Sequence, residues 1–236
     1  MLAHKCDPIY WHPRAVGLGQ NTGVSVKRDS LSLSFAVGVY GAAFGAASVA
    51  AHFSVLQTCA ISLLTFSGAS QFAAVGVVGA GGGAFSAIAT GALLGTRNGL
   101  YAVRMAPLLN VRGVKRIIAA QITIDESTGV ALSQNNEDDS KIGFWWTGFG
   151  VFIFWNIFTL LGAISAGLLK DPAAYGLDAL VPAAFVGLVW PRLTGKRSYY
   201  LAILAFIFAL SLAPIVPAGV PIIATSLLAA FVGWRA

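Results

Sequence analysis

Apolar residues fill long blocks of this chain, and charged residues appear mainly as punctuation between them. The blocks cover residues 31–51, 53–80, 84–105, 143–169, 177–193, 199–213 and 221–234. A membrane-spanning helix takes about 20 apolar residues, so the pattern predicts an all-α polytopic membrane protein with six or seven spans. Residues 1–30 are polar and rich in turn formers and are expected to form a mobile cytoplasmic tail, leaving 31–236 as one transmembrane transport domain. After Arg112, Lys115 and Arg116 a semi-polar helix is predicted to about Leu132, then an acidic loop from Asn135 to Asp139.

The stretch 65–107 carries three interruptions. Ser67-Gly68-Ala69-Ser70-Gln71 is a small polar knot, Gly81-Gly82-Gly83 is a glycine run, and Arg97 and Asn98 stand inside an otherwise apolar helix, with Arg104 a heptad on. At membrane depth a broken helix survives only where protein or a water-filled cavity satisfies its backbone. An intramembrane arginine costs at least about 2.5–3.5 kcal/mol on insertion scales and faces a bundle interior or an aqueous path. Together they predict a solute pathway. The competing readings are a glycine kink whose serines satisfy their own backbone, and a buried ion pair for Arg97.

Charge placement constrains the threading. Lys27 and Arg28, the 112–116 cluster, the 192–197 cluster and Arg235 all belong on the cytoplasmic side by the positive-inside rule. Between Arg28 and Arg112 the chain must therefore cross an even number of times, yet three apolar blocks lie there. Either 53–80 is re-entrant, turning at the knot, or seven spans place one terminus outside.

Composition agrees with the pattern. Charged residues are 10% and hydrophobic residues 57% of the 236 residues, against about a quarter charged in soluble domains. Net charge is +6, but the basic residues are scattered at block ends and make no stripe that follows a phosphate backbone, so no nucleic-acid partner is expected. Cys6 and Cys59 make no disulfide framework, and the first thirty residues hold no signal-peptide core. His4, Cys6, Asp7 and His12 show no metal-ligand spacing, and His52 reads as a polar cap at the end of a helix. No nucleophile elbow, zinc helix or phosphate loop is present, so neither an enzyme nor a cofactor is expected. Gly41-Ala42-Ala43-Phe44-Gly45 is a small-residue face expected to pack within the chain. Trp145, Trp146 and Trp155 suit interfacial or packing positions.

Candidate chemistry concentrates at the interruptions. The knot offers hydroxyls, an amide and half-helix ends. On a helix, Arg97, Tyr101 and Arg104 share a face, where Arg97 has the fork geometry for a carboxylate and Arg104 is placed to snorkel. Asp125 and Glu126 sit beside Ile122, Ile124 and Val130, pointing about 100° apart on a helix so that one at most faces a given partner. A carboxylate among apolar groups suits a proton carrier, because burial disfavours the charged form. One of them meeting Arg97 would make an openable pair; the other reading is a solvated surface helix.

These same residues carry a resemblance. Phe66, Gly68, Ala69, Gln71 and Phe72 in FSGASQF, Arg97, Tyr101, Ala106 and Pro107 in TRNGLYAVRMAP, and Asp125-Glu126 resemble the AzlC family, large subunits of bacterial branched-chain amino acid exporters. One departure is Gly95, where the family pattern has asparagine; here Asn98 follows the arginine instead. The resemblance implies export of leucine, isoleucine and valine across the bacterial inner membrane, driven by the proton motive force, with a short AzlD-like hydrophobic subunit as partner. Together with the residues' own chemistry it makes Ser67, Gly68, Ala69, Ser70, Gln71, Phe72, Arg97, Asn98 and Tyr101 the expected substrate contacts, and Asp125 and Glu126 the expected proton-coupling pair. Phe66, Phe72 and Val75 are expected to accept an aliphatic side chain with loose selectivity, since one methylene discriminates by only about 1–3 kcal/mol. The other class of function is a non-transporting membrane scaffold or receptor subunit that stabilises its small partner.

Overall fold

The computed structural model describes residues 23–169, 179–190 and 193–234. The described chain is helical with no strands, in ten helices: α1 Gly23–Ala50, α2 Val55–Leu64, α3 Ala69–Gly79, α4 Ala84–Leu109, α5 Val114–Gln121, α6 Asp125–Leu132, α7 Glu137–Gly167, α8 Leu180–Val189, α9 Lys196–Leu212 and α10 Val220–Trp234. Residues 1–22, with the histidines and cysteine of the expected tail, and Arg192 and Arg235, lie outside the described residues.

The spine is α1 lying along α7, and the two run parallel. Ser34 donates to the Thr147 carbonyl at 3.2 Å, Gly38 lies on Phe154, Gly41 on Trp155, and Gly45 on Thr159. The small-residue face is what allows this approach. A methyl group on Gly45 would land on the Thr159 carbonyl, and one on Gly162 would land on that of Ala42. Without a hydrophobic drive in lipid, close van der Waals packing of this kind holds helices together.

Three expectations about boundaries are corrected. Residues 23–30 continue α1 rather than belonging to a mobile tail: Val26 and Ser30 are buried and Lys27 covers the Trp146 ring at 5.5 Å, and extending an existing helix costs little. The acidic stretch is no loop. Asn136 caps α7 by accepting from the Asp139 N–H at 2.8 Å, and Glu137, Asp138 and Asp139 form its first turn, where the helix dipole favours negative charge. The semi-polar helix breaks in two at Ile122–Ile124. There the Thr123 hydroxyl donates back to the Ala119 carbonyl at 2.6 Å while Ser127 takes the Ile124 N–H at 3.1 Å, so side chains supply the bonds the helix gives up.

The expected break in 53–80 is present at Thr65–Gly68, between α2 and α3. Ser54 starts α2 with a capping box, accepting from Gln57 N–H while Gln57 Oε1 accepts from Ser54 N–H at 2.8 Å. Gly68 turns the chain at φ 54, ψ −88, a left-handed conformation that glycine adopts without steric cost. The two arms return to one end: Val55 lies beside Gly167 and Gly79 beside Ala51, whereas the tip lies halfway down α7, with Gly68 against Trp155 and Phe66 against Phe152.

A second hairpin enters from the opposite end. Helix α4 descends past the first tip, with Gly91 and Gly95 beside Ser70, and its far end packs Met105 and Leu109 with Ala119 and Phe144. From there α5 climbs until Gln121 donates to the Leu63 carbonyl at 2.9 Å. Helix α6 then descends from Asp125, so that Ile122 touches Gly148 and Val130 touches Gly143. The two helix breaks meet near the middle of α7.

By length and composition, α1 and α7 are the described helices apolar enough to cross a membrane. Helix α4 has 26 residues, about 39 Å at 1.5 Å per residue, but carries both arginines. The predicted block 177–193 contains a helix of only 10 residues, and α9 and α10 have 17 and 15, fewer than the roughly 20 expected for a span. The helices α8 to α10 flank the assembly, α8 on α1 and α3, and α10 on α4 and α9.

One stability prediction arises here. Gly129 is exposed within α6 with open space around its Cα, so Gly129→Ala is expected to stabilise by about 0.5–1 kcal/mol, read as a raised melting temperature of the purified protein.

Candidate functional site

Where the two tips meet, Arg97 reaches across from α4. Its Nη1 donates to Asp125 Oδ2 at 2.8 Å and its Nη2 to the Ser67 carbonyl at 3.3 Å. The guanidinium thus ties the first residue of α6 to the unwound backbone that opens α3. Side-chain exposures are 29% for Arg97 and 19% for Asp125, so the pair is largely withdrawn from solvent. The reading of Asp125 as a solvated surface acid is therefore corrected. Arg97 Nε is buried and has no partner among the described residues.

A cavity of about 180 Å³ opens beside the pair. Its polar wall is Ser67, Gly68, Ala69, Arg97, Asp125 and Glu126, and its apolar wall includes Phe66, Phe72, Val151 and Trp155. Asp125 and Glu126 both line it, although neighbours on a helix diverge, because the cavity wraps the mouth of α6. The N-termini of α3 and α6 both open at mid-depth; that of α3 has no side-chain cap, so its first turn carries partial positive charge, whereas Ser127 braces that of α6 by accepting from the Ile124 N–H.

The remaining predicted residues are distributed around this centre. Ser70 bonds Ser67 through their hydroxyls at 2.9 Å and, with Asn98, faces a second cavity of about 570 Å³ between α2, α3 and α4. Val75 lines that second cavity too, and Phe66 lines both. Gln71 lines neither. At 1% exposure its Nε2 donates to the Ile61 and Ser62 carbonyls, each at 3.2 Å, tying the start of α3 to the last turn of α2. Tyr101 is half-buried one turn beyond Arg97, Arg104 is exposed further along, and His52 is exposed in the α1–α2 turn. Among the described residues no cluster of His, Cys, Asp and Glu has metal-binding geometry.

Trp155 was not expected here. It is 5% exposed, stacks on Phe44 at 6.2 Å and meets Phe72 edge-on, and its indole N–H has no acceptor among the described residues. A buried tryptophan N–H normally finds a partner. Nothing in its sequence position separates it from Trp145 or Trp146; only the packing does.

The family profile described as "AzlC protein" matches residues 32–169, more than half of the 236 residues. The chain belongs to the AzlC family. The match covers α1 to α7 apart from the first turns of α1, so both hairpins, Arg97 and Asp125 fall inside the family's own region. This is a transporter-type family linked to branched-chain amino acid transport. No curated protein and no solved structure matches the chain.

Gln71 gives a prediction that separates bracing from contact. Gln71→Leu keeps the bulk but leaves two carbonyls without their donor, at a cost of about 1–3 kcal/mol. It is expected to lower the melting temperature and solute flux together, whereas a residue that only contacts solute would lose flux alone.

Proposed function

We propose that this chain is the large subunit of a secondary transporter exporting leucine, isoleucine and valine across the bacterial inner membrane. The observation that carries the reading is the Arg97–Asp125 pair, held where two broken helices meet inside a cavity with one polar and one apolar wall. A small aliphatic zwitterion needs both walls, and the cavity is small enough to exclude large solutes. In this reading α1, α4 and α7 cross the membrane, the α2–α3 and α5–α6 hairpins are re-entrant from opposite faces, and the three C-terminal helices bring the total to six spans in a single transport domain. Lys27, Arg28, Arg112, Lys115 and Arg116 then lie on one face, the cytoplasmic one, which removes the parity conflict in the charge pattern.

In this reading proton coupling runs through the pair. A proton on Asp125 cancels the charge that holds Arg97, freeing the guanidinium to turn to the solute. Glu126, on the same cavity wall, is placed to pass the proton on. The motion asked of the protein is the opening of one hairpin tip while the other stays closed, the alternating access of broken-helix transporters.

The partner is a short AzlD-like hydrophobic subunit. Ile88, Leu100 and Val103 of α4 and Val114 and Ile117 of α5 are 70% or more exposed, an apolar surface that lipid or such a subunit would cover. The same surface favours a second reading, a scaffold that stabilises the small subunit and carries nothing. Efflux of labelled leucine from cells loaded with a leucine-containing dipeptide separates them. Faster efflux with both subunits than with either alone is expected. Unchanged efflux, with both proteins inserted and assembled, leaves the scaffold reading standing and removes leucine export.

A further inference from the structure

The two hairpins are one device used twice, inverted. Each follows a long helix, α1 or α4, and each turns at mid-depth after a threonine whose hydroxyl donates to the carbonyl four residues back: Thr65 to Ile61 at 2.7 Å, and Thr123 to Ala119 at 2.6 Å. The turns read Thr65-Phe66-Ser67 and Thr123-Ile124-Asp125, and Phe66 and Ile124 share one core cluster and one cavity wall. Arg97 touches the third residue of both, through the carboxylate at Asp125 and through the backbone carbonyl at Ser67.

The repeat is therefore unequal in charge. The second hairpin brings its own anion to the mouth of its returning helix, and the first brings a neutral serine. At that neutral mouth lie the uncapped N-terminus of α3 and the indole of Trp155, nine-tenths buried with an N–H that has no acceptor among the described residues. We propose that the substrate's own carboxylate fills this place, on the N–H groups opening α3 and on Trp155 Nε1, as the counterpart of the Asp125 carboxylate across Arg97. The α-ammonium then lies towards the acidic pair of α6 and the aliphatic side chain towards Phe66 and Phe72. This rests on the amino acid transport reading and adds which end of the substrate is held where. An anion at a helix N-terminus is a general solution to carboxylate binding, and half-helix ends in transporters use it.

Ser67→Asp installs the missing anion. Thermal unfolding of the purified full-length protein is followed with L-leucine and with L-leucinamide, which lacks the carboxylate. Leucine is expected to raise the melting temperature of the wild type, while leucinamide does not. Ser67→Asp is expected to melt higher than wild type without ligand and to lose leucine affinity by at least about tenfold, and Trp155→Phe to lose about tenfold. A leucine response of wild-type size in folded Ser67→Asp, or equal responses of the wild type to leucine and leucinamide, overturns the carboxylate seat alone; the second comparison stands even if Ser67→Asp does not fold. A wild type indifferent to leucine, isoleucine and valine overturns the transport reading, and the seat with it.

Discussion

Arg97→Ala is expected to leave a helical, membrane-inserted protein and to reduce leucine efflux about a hundredfold. The guanidinium is the common partner of Asp125 at 2.8 Å and the Ser67 carbonyl at 3.3 Å, so its removal releases both tips at once. Breaking a buried pair by deleting one partner costs about 3–5 kcal/mol. With side-chain exposures of 29% and 19%, the lower end applies, and about 3 kcal/mol is roughly two decades in a binding constant. Arg97→Lys keeps the charge but loses the fork that spans two acceptors, and should retain more flux than alanine. Circular dichroism and gel filtration of the variant check insertion and folding, and efflux checks function. Wild-type efflux from Arg97→Ala would reduce the pair to a structural tie.

The second large effect is structural. Gly45→Val is expected to prevent recovery of folded protein, and Gly162→Val to do the same from the other side of the seam. In both, the new atoms meet backbone, the Thr159 carbonyl or the Ala42 carbonyl, and backbone cannot rotate away as a side chain can. Ordinary overpacking costs about 1–3 kcal/mol; separating the two longest helices along their shared face should cost more, because α2, α3, α4, α6 and α8 all pack on that pair. Gly99→Val is the control, since nothing lies within 4 Å of the position a Cβ would take there. Gel filtration and limited proteolysis read the outcome, and a monodisperse Gly45→Val protein with wild-type melting would contradict the packing described.

Much of this arrangement was legible in the sequence, and the parts that were not have physical reasons. The break at the knot showed because Ser67, Gly68, Ser70 and Gln71 interrupt an apolar run, and Arg97 showed because a charge there is costly. Gly41 and Gly45 announced close packing, which α7 supplies. The second hairpin did not show. Its turn is Ile122-Thr123-Ile124, with no glycine or proline, and it is made by the Thr123 and Ser127 hydroxyls, whose capping work is invisible until the helices are in place. The acids that open α7 looked like a loop because a helix N-terminus and a polar loop favour the same residues. Gln71 looked like a ligand-facing amide, and instead it ties the start of α3 to the last turn of α2. Trp155 was hidden for a third reason: an indole is common in membrane helices, and only its unpartnered N–H sets it apart.

The central claim is that solute passes the meeting point of the two hairpin tips. Cysteine placed at Ser67, in a chain whose Cys6 and Cys59 are replaced by alanine and whose efflux is retained, tests it most directly. The rate of labelling by a membrane-impermeant thiol reagent is measured with and without leucine in membranes carrying the assembled transporter. Leucine should slow labelling of Cys at this position in proportion to its occupancy, and leave a cysteine in the exposed first turn of α7, such as Asp138→Cys, unaffected. Labelling at 67 that proceeds at one rate while leucine is being exported would place the path elsewhere in the protein.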